Sequence, residues 1–197
     1  MARATPYDRE TALDAAMSLF WDKGFHATSL KDLEAALAMK PGSIYAAFEN
    51  KENLYLLALE RYFMASRKGF RENVASASSS LAALADHFRS YARMVPGDKG
   101  RQACMLTKTM VDTRTTEPAI AAVTRDYLDA MQREFAEAFS MARSRGELPE
   151  TADPKRLARR FQTNVAALRL AVHQGMAADE FADLAEDMAR EVEQLHI

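Results

Sequence analysis

The chain has 197 residues, 48% of them hydrophobic and 27% charged, a balance typical of a folded globular protein with one or two domains. The 7 Gly and 6 Pro argue against many short strands, and the single cysteine excludes an internal disulfide framework. No segment is apolar for the length of a membrane span, and residues 1–10 lack the apolar core of a signal peptide, so we expect a cytoplasmic protein.

The net charge of −2 excludes a generally basic surface, and residues 1–51 themselves carry one more acidic than basic side chain. Any contact of this segment with nucleic acid must therefore depend on where a few cations are placed.

Apolar residues at helical spacing predict a first helix that carries Leu13, Ala16, Met17 and Phe20 on one face. Gly24 follows in the position of a glycine that ends a helix. The first helix is therefore expected to end near residue 23.

A short second helix is predicted to begin at a Thr28 or Ser29 cap, because Asp32 stands three residues beyond Ser29 as in a capping box. Pro41 suits the first turn of a third short helix. The core positions of these two helices are Leu30, Leu33, Leu37, Ile44 and Phe48.

Six mostly longer helices follow in the pattern of apolar residues and helix-ending residues. The predicted limits are a cap at Asn50, a break at 75–80, a stop at Pro96, a sixth helix over about 99–112, starts at Pro118 and at Asp153-Pro154, and ends at Gly146 and Gly175. The ninth helix carries Phe181, Leu184, Met188 and Leu195. The sequence predicts an all-α fold of about nine helices.

Residues 29–48 have the size of a helix-turn-helix that reads DNA. An ordinary helical hairpin has the same pattern, so periodicity alone leaves both interpretations open.

The motifs of this region resemble the N-terminal signature of the TetR family of regulators. They read AAMSLF at 15–20, KGFHATSLKDL at 23–33 and PGSIYAAFENKENL at 41–54, and the resemblance covers about residues 8–62. It implies a helix-turn-helix DNA-binding domain over 1–50 and an effector-binding and dimerisation domain over 51–197.

The resemblance also implies contacts with double-stranded operator DNA. Gly42 would let the backbone approach a phosphate, Ser43 could donate to a phosphate or a base, and Tyr45 and Lys51 match the family residues that hold phosphates. Ala46 and Ala47 stand where many relatives carry bulky polar readers, which leaves contacts with thymine methyl groups. The expected DNA-contacting residues are Thr28, Ser29, Lys31, Lys40, Pro41, Gly42, Ser43, Tyr45, Ala46, Ala47 and Lys51, with Arg3 reaching the adjacent groove. Two alternatives stay open: a core role for Tyr45 and a purely capping role for Ser29.

For the second domain, the resemblance implies a small-molecule pocket and a homodimer whose last two helices form a four-helix bundle. The candidate pocket residues lie on apolar stripes: Phe88, Tyr91, Met94, Met110, Tyr127, Met131, Phe135, Phe161 and Asn164. The same stripes are also what a plain helical core requires, so both interpretations remain. Asn164 is the most informative candidate, because a buried amide needs partners.

Cys104 is a candidate sensor, placed early in the predicted sixth helix between Arg101 and Lys108. A helix N-terminus and nearby cations favour the thiolate, which reacts with electrophiles. The segment resembles a G-C-L motif of TetR relatives, a subset of which respond to electrophiles, but Ala103 and Met105 depart from it. The alternative is an inert, packed cysteine.

No enzyme motif is present, no cofactor is implied, and the four histidines are scattered, which argues against a metal site. We therefore expect a TetR-type regulator, a repressor released from operator DNA by a small molecule or an electrophile. The alternatives are a DNA-bound protein without an effector and a helical interaction module without DNA binding.

Overall fold

The structure is a computed structural model that describes residues 8–94 and 103–195, and within those ranges it contains nine helices and no strand. The helices are α1 (Arg9–Lys23), α2 (Leu30–Leu37), α3 (Pro41–Phe48), α4 (Lys51–Ser76), α5 (Ser80–Arg93), α6 (Met105–Thr113), α7 (Pro118–Ser144), α8 (Pro154–His173) and α9 (Ala178–Glu193). The predicted all-α architecture is confirmed. The expectations for Arg3, Pro96, Arg101 and the start of a helix at 99 fall outside the described residues.

The limits of α1 follow from local chemistry. Asp8 caps the helix by accepting from the Glu10 N–H at 3.1 Å, and Gly24 ends it with φ +83°, a conformation that favours glycine. A Cβ at Gly24 would also lie 3.3 Å from an Asp112 carboxylate oxygen. The predicted end of the first helix is confirmed.

The capping box at the start of α2 is also confirmed. The Ser29 hydroxyl accepts from the Asp32 N–H at 3.2 Å, and the Asp32 carboxylate accepts from the Ser29 N–H at 2.9 Å. Pro41 occupies the first turn of α3, as predicted.

Capping residues also set the starts of the longer helices. The Asn50 side chain accepts from the Asn53 N–H at 2.8 Å, and Asp153 accepts from the first two N–H groups after Pro154. The prediction that Cys104 lies inside the sixth helix is wrong. Helix α6 begins at Met105, and Cys104 precedes it.

The described residues group into two compact units. The first unit holds the residues up to Met64 together with Lys108–Arg125. The second unit holds Ala65–Thr107 and the residues from Asp126 onward. Residues of α4 up to Met64 belong to the first unit together with α1.

Edge-to-face aromatic contacts build the core of the first unit. Tyr55 of α4 lies 4.8 Å from Phe20 and 5.1 Å from Phe25 between ring centroids, and its hydroxyl lies 2.8 Å from the Thr109 hydroxyl. The Lys108 ammonium donates to the Trp21 carbonyl at 2.7 Å, near the end of α1. Residues from α6 are thus integral to the N-terminal unit.

The core of the second unit is also aromatic. Phe161 of α8 lies 4.7 Å from Phe88 and 4.9 Å from Phe135 between ring centroids. At its edge, the buried Glu134 accepts from Arg67 and Arg71, each at 2.6 Å. These ion pairs tie α4 to α7 within this unit.

None of the described helices is both long enough and apolar enough to cross a membrane.

Candidate nucleic-acid interface

Helix α3 is anchored by one face and exposes the other. Ile44 and Phe48 are buried in the first unit, whereas Ser43 and Ala46 are exposed and Tyr45 is 42% exposed. Tyr45 is therefore not a core residue. Since the buried pair fixes the orientation of α3, the exposed side chains form a fixed surface.

Gly42 lies on the exposed side at the start of α3. A Cβ built there would meet no atom within 4 Å, so no packing within the chain requires glycine at this position. A glycine that the fold does not need is consistent with close approach by an external group.

The N-terminus of α3 carries partial positive charge. Lys40, an exposed residue, accepts backbone hydrogen bonds from Ser43 at 2.9 Å and Ile44 at 3.1 Å through its carbonyl. The first turn holds no acidic residue and no side-chain cap. The helix dipole and the Lys40 ammonium therefore both favour an anion here.

Lys51 begins α4 and is half-buried. Its ammonium lies 4.5 Å from the centroid of the Phe25 ring, a cation–π contact. Partial burial lowers the pKa of Lys51, and the Glu117 carboxylate opposes that shift. The contact with Phe25 holds the ammonium close to the N-terminus of α4.

The residues predicted to contact DNA at and near α2 differ in their exposure to solvent. Lys31 and Ser29 are exposed, although Ser29 also makes the capping box. Thr28 is 1% exposed, and its hydroxyl donates to the Gly24 carbonyl at 2.7 Å. We therefore assign Thr28 to the packing between α1 and α2 and not to a surface that contacts DNA.

The acidic residues of the N-terminal segment are largely used within the first unit. Arg61 of α4 donates to Asp14 at 2.7 Å and also pairs with Glu10. Asp32 pairs with Lys23 at 2.6 Å, which together with the hydrogen bonds from Ser29 lowers the pKa of Asp32. The net charge counted for residues 1–51 therefore overstates the negative charge that would repel a bound anion.

Arg61 was not predicted as part of this region. It lies 47 residues from Asp14 in the sequence, and no local pattern identifies such a pair. Only the packing of α4 against α1 reveals it.

The candidate effector residues differ in burial and in the unit to which they belong. Phe88, Tyr91, Met131 and Phe161 are buried in the second unit, Tyr127 is half-buried, and Met110 belongs to the first unit. Asn164 is half-buried and lines a partly open depression together with Leu157 and Met188.

His87 is a half-buried polar group that the sequence did not single out. Its ring lies between 5.2 and 6.0 Å from those of Phe70, Tyr91, Phe135 and Phe161, and its Nε2 lies 3.2 Å from the Tyr91 hydroxyl. Burial, assisted by the positive charge of Arg169, lowers the pKa of His87 to about 4. His87 is therefore neutral at physiological pH.

Cys104 is half-buried just before α6. Of its two expected cationic neighbours, Arg101 lies outside the described residues. Lys108 donates to the carbonyls of Trp21 and Asp22, so its ammonium is held at the end of α1. This position of the Lys108 ammonium does not support the expectation that Lys108 favours the thiolate of Cys104.

Two family models match the chain. The model described as bacterial regulatory proteins, tetR family, matches residues 12–58. The model described as tetracyclin repressor-like, C-terminal domain, matches residues 77–180.

Curated relatives include regulators of transcription. The HTH-type transcriptional repressor ComR of Escherichia coli (strain K12) is 28% identical over 184 residues, which covers 93% of this chain and 88% of ComR. The HTH-type transcriptional repressor BdcR of the same strain is 42% identical over 53 residues, which covers 27% of each chain.

Solved structures give the same result. A cysteine mutant of the TetR family regulator CifR, complexed with 26-base-pair double-strand operator DNA, has a TM-score of 0.86 at 25% identity and covers 95% of this chain and 98% of its own. The reduced form of NemR from E. coli has a TM-score of 0.81 at 16% identity, covers 96% of both chains and shows the shared fold.

Proposed function

This chain belongs to the TetR family of bacterial regulatory proteins, which are DNA-binding transcriptional regulators, and we propose that it is a repressor that a small-molecule effector releases from its operator. In this proposal α2 and α3 hold the DNA. The second unit receives the effector.

The exposed face of α3 carries the proposal. Lys40, Ser43 and Tyr45 are exposed on a helix that Ile44 and Phe48 fix in place, and Gly42 leaves open space beside them. Lys40 and the N-terminus of α3 would bind phosphate, whereas Ser43, Tyr45 and the two alanines would face the groove.

Operator binding requires two such heads. We propose a homodimer through α8 and α9, which would place two recognition helices on successive turns of the duplex. The 47% exposure of Leu170 on α8 supports an apolar contact surface on this helix.

Release requires that the effector bind the free form more tightly than the DNA-bound form. A coupling of about 1–3 kcal/mol would lower the affinity for DNA by roughly 5- to 150-fold. Three helices, α4, α6 and α7, contain residues of both units and offer covalent routes for this coupling.

Fluorescence anisotropy with the DNA upstream of the chain's own gene tests binding. Because Lys40 is exposed at the start of α3, we expect Lys40→Ala to weaken binding by about 5-fold and to reduce its dependence on salt. The matched control is Lys68→Ala, since Lys68 is exposed on α4 and its ion pair with Glu72 is a long surface pair of 3.8 Å. Equal effects of the two substitutions, or affinity no better than for random DNA, would contradict the assignment of α3.

The electrophile branch of the proposal depends on Cys104. If the thiol is the sensor, N-ethylmaleimide should lower the affinity of the wild type for DNA and leave Cys104→Ser unchanged. If the affinity of both proteins stays the same, the thiol is a packed core group and release depends on a non-covalent ligand.

A further inference from the structure

Arg9 is an exposed cation at the start of α1 that the sequence motifs did not single out. Its guanidinium carbon lies 5.4 Å from the centroid of the ring of Phe48, the last residue of α3. This distance is within the range of a cation–π contact. Because Phe48 is 1% exposed, its ring is fixed in the core of the first unit. The guanidinium is therefore held against α3, although Arg9 belongs to another helix.

The carboxylates next to Arg9 in the sequence have other partners. Asp8 caps α1 by accepting from the Glu10 N–H at 3.1 Å. The Glu10 carboxylate pairs with Arg61 of α4. In the part of the chain that the structure describes, no ion pair includes Arg9. An aromatic ring thus holds this cation without neutralising its charge.

The same arrangement recurs at Lys51. Its ammonium lies 4.5 Å from the centroid of the Phe25 ring, and within the described ranges it too has no ion pair. A γ-turn centred on Glu49, with φ +66°, joins α3 to α4, and the Asn50 N–H donates to the Phe48 carbonyl across it at 2.7 Å. Two cations held by aromatic rings therefore lie at the C-terminal end of α3.

The length of α3 suits cations at both of its ends. The helix has 8 residues, and at 1.5 Å per residue it is about 12 Å long. The major groove of B-DNA is also about 12 Å wide, and a phosphate backbone borders it on each side. Lys40 at one end of α3 and Arg9 at the other are thus spaced to reach phosphates on both sides of the groove. A guanidinium over a ring can still donate from its edge to a phosphate.

We propose that Arg9 binds a phosphate of the DNA backbone and that the Phe48 ring positions its guanidinium for this contact. The inference rests on the proposed binding of operator DNA and adds a contact from α1 to the residues already assigned. Phosphates carry no sequence information, so Arg9 raises the affinity for every duplex and does not select the operator.

Fluorescence anisotropy of the full chain tests this role on two duplexes, the DNA upstream of its own gene and a random sequence, between about 50 and about 200 mM NaCl. Arg9→Met keeps an apolar contact with Phe48 and removes the charge. We expect affinity for both duplexes to fall by about 5-fold, and the slope of log K against log salt to become shallower by about 0.9.

Two further variants serve as controls. Arg9→Lys keeps the positive charge and should return the salt slope to that of the wild type. Arg133→Met removes an exposed cation from α7 and should change neither the affinity nor the slope. The urea midpoint of Arg9→Met should equal that of the wild type, because the substitution leaves the packing on Phe48 in place.

Four results would overturn the inference. Unchanged affinity and slope for Arg9→Met would remove the contact, and a loss restricted to the upstream DNA would make Arg9 a base-reading residue. Weaker binding with an unchanged slope and a lower urea midpoint would reduce Arg9 to packing on Phe48. A wild type without affinity for DNA would refute the proposed function as well. A normal Arg9→Met beside a weakened Lys40→Ala would refute this inference alone.

Discussion

Helix α3 exposes four of the residues assigned to DNA, whereas five of the residues assigned to an effector are buried in the second unit. Ser43 is exposed, and Tyr45 is 42% exposed. By contrast, Phe88 and Phe161 are buried against each other with ring centroids 4.7 Å apart. The proposal thus assigns binding and folding to different side chains in α3 and to the same side chains in the second unit.

This difference has a consequence for mutagenesis. A substitution on the exposed face of α3 should change affinity for DNA without changing stability. A substitution in the aromatic core of the second unit should change stability first, whatever it does to effector binding.

The largest expected effect is at Phe161, which is 2% exposed and contacts four aromatic rings. Phe161→Ala should lower the free energy of unfolding by about 3–5 kcal/mol, because it removes a buried ring and leaves a cavity. Urea denaturation followed by circular dichroism measures this change.

Met141→Ala is the matched control, since Met141 is a large apolar residue that α7 exposes to solvent. Its expected loss is below about 0.5 kcal/mol. If Phe161→Ala also lost less than about 1 kcal/mol, the ring would not be a core element and the contrast between the two regions would fail.

The next effect concerns pH. The pKa of His87 is lowered from 6.5 to about 4, chiefly by burial, so the unfolded chain binds a proton at a higher pH than the folded one does. The stabilisation is fully present above pH 6.5 and is lost as the pH falls toward 4. The loss attributable to His87 should reach at most about 3 kcal/mol.

Urea denaturation between pH 7 and pH 4 compares the wild type with His87→Asn, which should lose this part of the pH dependence. His173→Asn is the control, because it replaces an exposed histidine by the same residue. The Asp86 carboxylate raises the pKa of His87, whereas Arg169 lowers it. Equal pH profiles for wild type and His87→Asn would refute the role of burial.

Local sequence chemistry predicted much of the first unit. The Ser29–Asp32 capping box, the Gly24 helix end and the buried pair Ile44 and Phe48 all depend on residues a few positions apart. Short-range patterns of this kind are readable because caps and helical faces repeat at fixed spacings.

What the sequence missed depends on contacts between distant residues. Arg61 neutralises Asp14 across 47 positions, and Lys108 reaches the end of α1 across 87. The family resemblance implied a DNA contact for the Thr28 hydroxyl, yet the packing of α1 on α2 buries it. Helical periodicity shows which face is apolar but not which partner covers that face.

The smallest of these effects, and the one that most sharpens the contrast, is at Tyr45. Tyr45→Phe removes one hydroxyl from an exposed ring on the anchored helix α3. If the hydroxyl holds a phosphate, affinity for operator DNA should fall by about 5-fold, equivalent to about 1 kcal/mol, while the free energy of unfolding changes by less than about 0.5 kcal/mol. The two measurements are anisotropy and urea denaturation of the same preparation.

Phe161→Ala should show the opposite pattern, a large loss of stability with normal DNA affinity for the folded fraction. Unchanged affinity of Tyr45→Phe would mean that the exposed tyrosine contributes no hydroxyl contact, and α3 would then hold DNA through Lys40, Ser43 and its backbone alone.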